Sequence, residues 1–168
     1  MAERLISEVL NKAGELKTKK EKVVYLSANN SRPLRSVLKG SFDNTVQFNL
    51  PEGIPPYRKD DAPKGFEISN LHRICRRFKY FNKGGVGDGM SSTRREKMFI
   101  DCLESLHPDE AEVMLAMKNK KLDKLYPGIS ATLVSEIWPN LLVEIKKPTR
   151  AKKKVVKKTK KVAVNPKI

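Results

Sequence analysis

Apolar residues recur every three or four positions along residues 5–16, 68–78, 98–106 and 133–138, and Val46, Phe48 and Leu50 alternate. A spacing of three to four puts side chains on one face of a helix, whereas a half-buried strand needs a period of two. The clearest case is "SSTRREKMFIDCLESL", where Met98, Phe99, Cys102, Leu103 and Leu106 share a face. The opening stretch repeats the pattern through Leu5, Ile6, Val9, Leu10, Ala13 and Leu16. These faces must be buried against one another, so the pattern predicts an all-α, compact multi-helix bundle.

Local signals mark where the helices begin and end. Thr18 and Glu21 stand in capping-box positions for a second helix. Ser31 caps a third, and Gly40 closes it. Ser92 or Thr93 caps the long helix, with Glu96 completing a box with Thr93. Pro108 sits in a first turn beside Asp109, Glu110 and Glu112, which suit the positive end of a helix. Helical spacing also runs through Ile68, Leu71, Ile74, Cys75 and Phe78, whose polar side carries Arg73, Arg76, Arg77 and Lys79. A turn at Pro127–Gly128 leads to a last helix through Leu133, Val134, Ile137 and Trp138, ended by Pro139.

Residues 42–66 break the pattern, because Pro51, Gly53, Pro55, Pro56 and Pro63 forbid a helix. The segment reads as an extended connection laid over the helices, with room for a single strand but not for a sheet. The domain thus spans 1–145. Residues 146–168 hold eleven Lys and Arg and no acid. Their valines are too diluted by lysine to build a core, so this tail is expected to be disordered when free.

Charge narrows the function. The chain carries +16, from 35 basic and 19 acidic residues, and the last 23 residues supply +11 of it. So one-sided a charge favours a polyanion, since neutralised phosphates release condensed counterions. Lys152, Lys153, Lys154, Lys157, Lys158, Lys160 and Lys161 form the dense part of the tail. Cys75 and Cys102 lie inside apolar helical patterns and read as core thiols of a reducing compartment. His72 and His107 have no neighbours at ligand spacing, so neither a metal nor another cofactor is expected. No secretory signal or bilayer-length apolar run occurs, which predicts a soluble, intracellular protein without a membrane partner.

No catalytic constellation stands out. "KGGVGDGM" lacks the Gly-Lys-Ser/Thr ending of a P-loop and the strand and spacing of a dinucleotide fingerprint. It reads as a helix–helix connection that can meet a backbone phosphate with help from Lys83, Arg94 and Arg95. "KNKKLDKLYPGISATLVSEIW" offers more. Lys118, Lys120, Lys121 and Lys124 precede the Pro-Gly turn, and Ile129 and Ser130 lead into a helix whose first N–H groups lack intrahelical partners. Gly128 lets a phosphate approach, and Ser130 or Thr132 can add a hydroxyl. The competing reading is that Ser130 only caps the helix and the lysines are solvated.

The run from Ser92 to Leu142, with its "PGIS…IWPNL" ending, resembles the second half of the helical N-terminal DNA-binding domain of ATP-dependent DNA ligases. The similarity is greatest to the compact version in T-even-type phages, and "LISEVLNKAGELKTKKEKVVYL" looks like that domain's first helices. The chain also resembles a small uncharacterised family of large tailed phages. The ligase resemblance implies a domain that grips duplex DNA across the minor groove through phosphates. It places Gly128, Ile129 and Ser130, with Lys121 and Lys124, at the phosphates. The ligase K-x-D-G motif is broken, since Val86 stands where its lysine would be. The expectation is a non-enzymatic, histone-like phage protein on double-stranded DNA, intact, nicked or modified, in the cytoplasm of the infected bacterium. The alternative is an adaptor that recruits a host or phage replication, transcription or repair enzyme. A third reading is an RNA binder, for which Phe78, Tyr80 and Phe81 are the clustered aromatics.

Overall fold

A computed structural model of the protein describes residues 3–143. Among the described residues there are eight α-helices, two 3₁₀ turns and no strand. The tail lysines 152–161 lie outside the described residues, and with them the expectation of a disordered end.

The first three helices follow the sequence signals closely. α1 (Ile6–Glu15) buries Ile6, Val9, Leu10 and Ala13. α2 (Lys19–Ala28) starts on the Thr18–Glu21 capping box, formed in both directions. α3 (Arg32–Phe42) starts on Ser31, whose hydroxyl accepts the Leu34 N–H at 3.4 Å. Gly40 does not close α3 as expected. It lies inside the helix, where α6 (Pro108–Lys118) crosses, and a Cβ there would stand 2.7 Å from the Met117 sulfur. A residue without a side chain is what lets the two helices approach this closely.

The connection over 42–66 is extended, as expected, and gains a single antiparallel bridge between Phe48 and Asn82. The Asn49 N–H donates to the Phe81 carbonyl at 2.7 Å, and Lys83 N–H to Gln47 at 2.8 Å. The helix expected after Ile68 is shorter and tighter than its apolar spacing implies. α4 spans only Leu71–Ile74 and passes into a 3₁₀ helix over Cys75–Tyr80. Cys75, Phe78 and Phe81 are all buried, and a helix of three residues per turn stacks such positions in line. Phe81 then meets Phe99 edge to face, with ring centroids 5.3 Å apart.

A 3₁₀ turn at Val86–Gly89 interrupts the glycine-rich loop, and α5 (Ser92–Ser105) follows. Its cap is Ser91, one residue before the two expected candidates, accepting the Arg94 N–H at 3.4 Å. α6 opens on Pro108 with His107 as cap. α7 (Leu122–Leu125) and α8 (Ala131–Ile137) complete the bundle, and α8 stops one residue short of Trp138. One core joins the helices. Leu10, Leu26, Leu38, Phe99, Leu103 and Met114 are all almost or wholly sealed from solvent. Each such side chain contributes about 1.5–3 kcal/mol relative to exposure. Cys75 and Cys102 sit in this core as unpaired thiols, and burial pushes both above the usual thiol range.

Candidate nucleic-acid interface

The lysine-rich end of α6 divides into inward and outward members. α6 ends in a Schellman-type cap: Lys120 N–H donates to Met117 at 3.2 Å, and Lys121 N–H to Ala116 at 2.8 Å. Lys120 holds the left-handed position with φ 56°, a place usually given to glycine. Its ammonium turns back onto the carbonyls of Gly40 and Asp43, the latter at 2.9 Å. It also lies 5.6 Å from the centre of the Phe48 ring. Lys118 is buried, and its three donors are taken by Pro51 O, Gly53 O and Asn119 Oδ1, each at 2.8 Å. Burial holds both ammonium groups below the usual lysine range. Lys118 thus fastens the proline-rich connection to α6, and Lys120 fastens the end of α3 to it. Lys120 is exposed as a residue despite these bonds, and so are Lys121 and Lys124.

The Pro-Gly turn is also more closed than expected. Ile129 is fully buried, so its side chain belongs to the core. Gly128 has φ +90°, and a Cβ there would come within 2.5 Å of the Lys22 ammonium. Lys22 is itself mostly buried and donates to the Gly14 carbonyl at 3.2 Å. Ser130 caps α8 by accepting the Leu133 N–H at 3.3 Å. Thr132 is exposed. The cation beside Gly128 is therefore Lys22 of α2, a partner hidden from sequence reading because it lies about a hundred residues upstream.

Arg94 and Arg95 separate in the same way. Arg95 is buried and clamps the glycine-rich loop, with Nη2 donating to Gly87 O at 2.7 Å and Met90 O at 2.8 Å. Arg94 is exposed and faces a shallow groove between the 3₁₀ helix and α5. Of the expected phosphate-meeting residues, then, Lys118, Arg95 and Ile129 are buried, and the ammonium of the exposed Lys120 is taken by main-chain carbonyls.

The groove beside Arg94 is part of a larger basic surface. Arg77, Arg94 and Lys97 line it, over Tyr80, Met90 and Met98, and Asp101 is the one acid in its wall. A second hollow shares Arg77 and Asp101 and adds Arg73 and Ile68. A third shares Arg73 and adds Arg32 and Arg76, alongside Glu3, Glu8 and Glu67. Arg73 and Arg77 thus join three hollows into one track. Among the described residues, no acid forms an ion pair with Arg32, Arg73, Arg76, Arg77, Arg94 or Lys97. Arg77 makes only a long contact from Nη1 to the Cys102 sulfur, at 3.8 Å. The sequence signal for this face is the basic polar side of residues 73–79.

These features define an all-helical protein with an unpaired arginine surface and, among the described residues, no group of three side chains suited to hold a metal ion. No described helix is long and apolar enough to cross a membrane. The chain belongs to a family of unknown function, DUF6433, whose pattern matches residues 9–124. That span includes the arginine track and the inward lysines. No curated protein matches the chain.

Proposed function

We propose that this protein binds duplex DNA through phosphates, without sequence preference and without a catalytic step. The observation that carries the reading is the track of unpaired guanidinium groups joined by Arg73 and Arg77. Arginine presents a planar fork that pairs with phosphate, and is more weakly hydrated than lysine, so leaving water for a phosphate costs it less. Contacts to phosphate position a protein and carry no sequence information. The eleven basic residues after position 145 supply a second, sequence-independent source of affinity. The resemblance of residues 92–142 to a ligase DNA-binding domain supports the same partner, with Lys121, Lys124, Ser130 and Thr132 exposed for it. A histone-like role on phage or host DNA in an infected bacterium fits this chemistry.

The test is a salt series on a matched duplex with the full-length protein and an Arg73→Ala/Arg77→Ala/Arg94→Ala variant. Each phosphate that is no longer neutralised lowers the slope of log K against log salt by about 0.9, so the variant should be shallower by about two to three. An unchanged slope removes the arginine track from the interface.

A further inference from the structure

Phe66 and Ile68 are the two most exposed large apolar side chains among the described residues, at 79% and 78%. They stand on a short connection fixed at both ends. The Phe66 N–H closes a turn onto the Pro63 carbonyl at 3.1 Å, and the Ser69 N–H donates to Ser105 O at 2.9 Å. Between them, the Glu67 carboxylate accepts the Gly65 N–H at 2.7 Å. The backbone is held in place while the two apolar groups face water.

Their surroundings select a partner. Ile68 lines the same hollow as Arg73 and Arg77. Gly65 and Glu67, on either side of Phe66, line the hollow that holds Arg73 and Arg76 together with Glu3 and Glu8. An apolar pair with unpaired guanidinium groups on the Ile68 side suits a ligand whose anionic groups alternate with flat apolar surfaces. A nucleic-acid strand has that construction, because each phosphate is followed by a base with two π faces. Stacked bases inside a regular duplex cannot offer those faces. An unstacked base can.

We infer that Phe66 and Ile68 form a platform for an unstacked nucleobase, with Arg73 and Arg77 on the adjoining phosphates. This rests on the nucleic-acid reading above and adds to it a preference among substrates. The ligand chemistry is a base out of its stack, whether extrahelical in a duplex or part of a single strand.

The experiment measures binding of the full-length protein to three probes: a matched duplex, the same duplex with one extrahelical base, and a single strand. Wild type should prefer at least one unstacked probe over the matched duplex by about tenfold. Phe66→Ala/Ile68→Ala should bring that ratio to one and leave matched-duplex affinity and its salt slope unchanged, and Phe66→Trp should keep the preference. The arm in which it persists identifies the source of the base. Equal binding to all three probes by wild type, or a preference that survives the double alanine variant, overturns the platform while leaving duplex binding intact. Binding to none of the probes overturns the nucleic-acid reading itself. Mixed phosphatidylcholine–phosphatidylserine vesicles form a further arm, and vesicle binding that the double variant abolishes, without any base preference, assigns the pair to a lipid surface instead.

Discussion

The Glu110 carboxylate accepts the backbone N–H of Ile6 at 2.9 Å, across 104 residues of chain. Its other oxygen accepts the N–H of Leu71 at 2.8 Å. Ile6 and Leu71 are the first residues of α1 and α4, so one side chain in the first turn of α6 satisfies two other helix starts. Leu5 offers α1 no cap of its own. The arrangement ties three distant segments together at one fully buried point.

Replacing Glu110 should therefore destabilise the whole bundle. In Glu110→Gln the amide nitrogen must face one of the two backbone N–H groups, at a cost of about 1–3 kcal/mol. Glu110→Ala strips both and leaves a cavity, costing about 3–5 kcal/mol. Urea unfolding followed by circular dichroism measures both, and a fall in midpoint at constant slope is the expected sign.

The same carboxylate gives a pH signature. Burial pushes Glu110 above the usual carboxylate range, and the hydrogen bonds from Leu71 and Ile6 only partly offset this. Between the unfolded and the raised folded pKa, the native state holds more protons, so stability from this group falls as pH rises. The stability gap between wild type and Glu110→Gln should widen as pH falls from neutral through the folded pKa, then level off below the unfolded one. Asp43 behaves oppositely. Burial raises it, but hydrogen bonds from Thr45 and Val143 more than compensate and leave it lowered. Its contribution disappears at acid pH, and comparing Glu110→Gln and Asp43→Asn with wild type across pH separates the two trends.

The contact at Gly40 predicts a different failure. Gly40→Ala forces Met117 to move or the α3–α6 crossing to open, with a cost of about 1–3 kcal/mol. Combining it with Met117→Ala should cost less than the sum of the single changes, because the clash disappears with its partner. Thermal unfolding of the four proteins of the cycle checks this.

Lys120 carries two opposing contributions. Its left-handed backbone costs about 1–2 kcal/mol in a residue with a Cβ, while its ammonium holds Gly40 and Asp43. Lys120→Met loses the grip and keeps the strain, whereas Lys120→Gly loses the grip and relieves it. The glycine variant should be the more stable of the two by about 1 kcal/mol in chemical denaturation.

Removing residues 146–168 tests the other half of the proposed grip on DNA. If half of the eleven basic residues there meet phosphates, wild-type affinity falls by roughly two to three decades over a fourfold rise in salt. The truncated chain should show a flatter slope and still bind duplex at low salt. Loss of all binding would place the interface entirely in the tail.

The features legible in the sequence are those set by neighbours along the chain. Apolar spacing locates the faces of α1 and α5, Pro108 locates the start of α6, and Thr18 with Glu21 locates the start of α2. Features set across the fold stay hidden. Glu110 has the appearance of a first-turn acid serving its own helix, and nothing local shows that it serves two others. Gly40 has the look of a helix end because glycine so often is one, yet here it makes room for Met117. Lysines at a helix end look solvated, and only the positions of the connection and of the end of α3 reveal that the Lys118 and Lys120 ammonium groups are taken by main-chain carbonyls. The arginine face shows the converse: its residues are visible as a basic side, but not the way Arg73 and Arg77 link neighbouring hollows.

Lys118 and Lys120 take hold of main-chain oxygens. Every residue type presents such an oxygen, so position 51 can be respelled as long as the path of the backbone survives, whereas Gly53, at φ +86°, is held to glycine by that path. The two lysines have no such freedom. Variation in a mutational scan should therefore gather on the strap and spare its buckle.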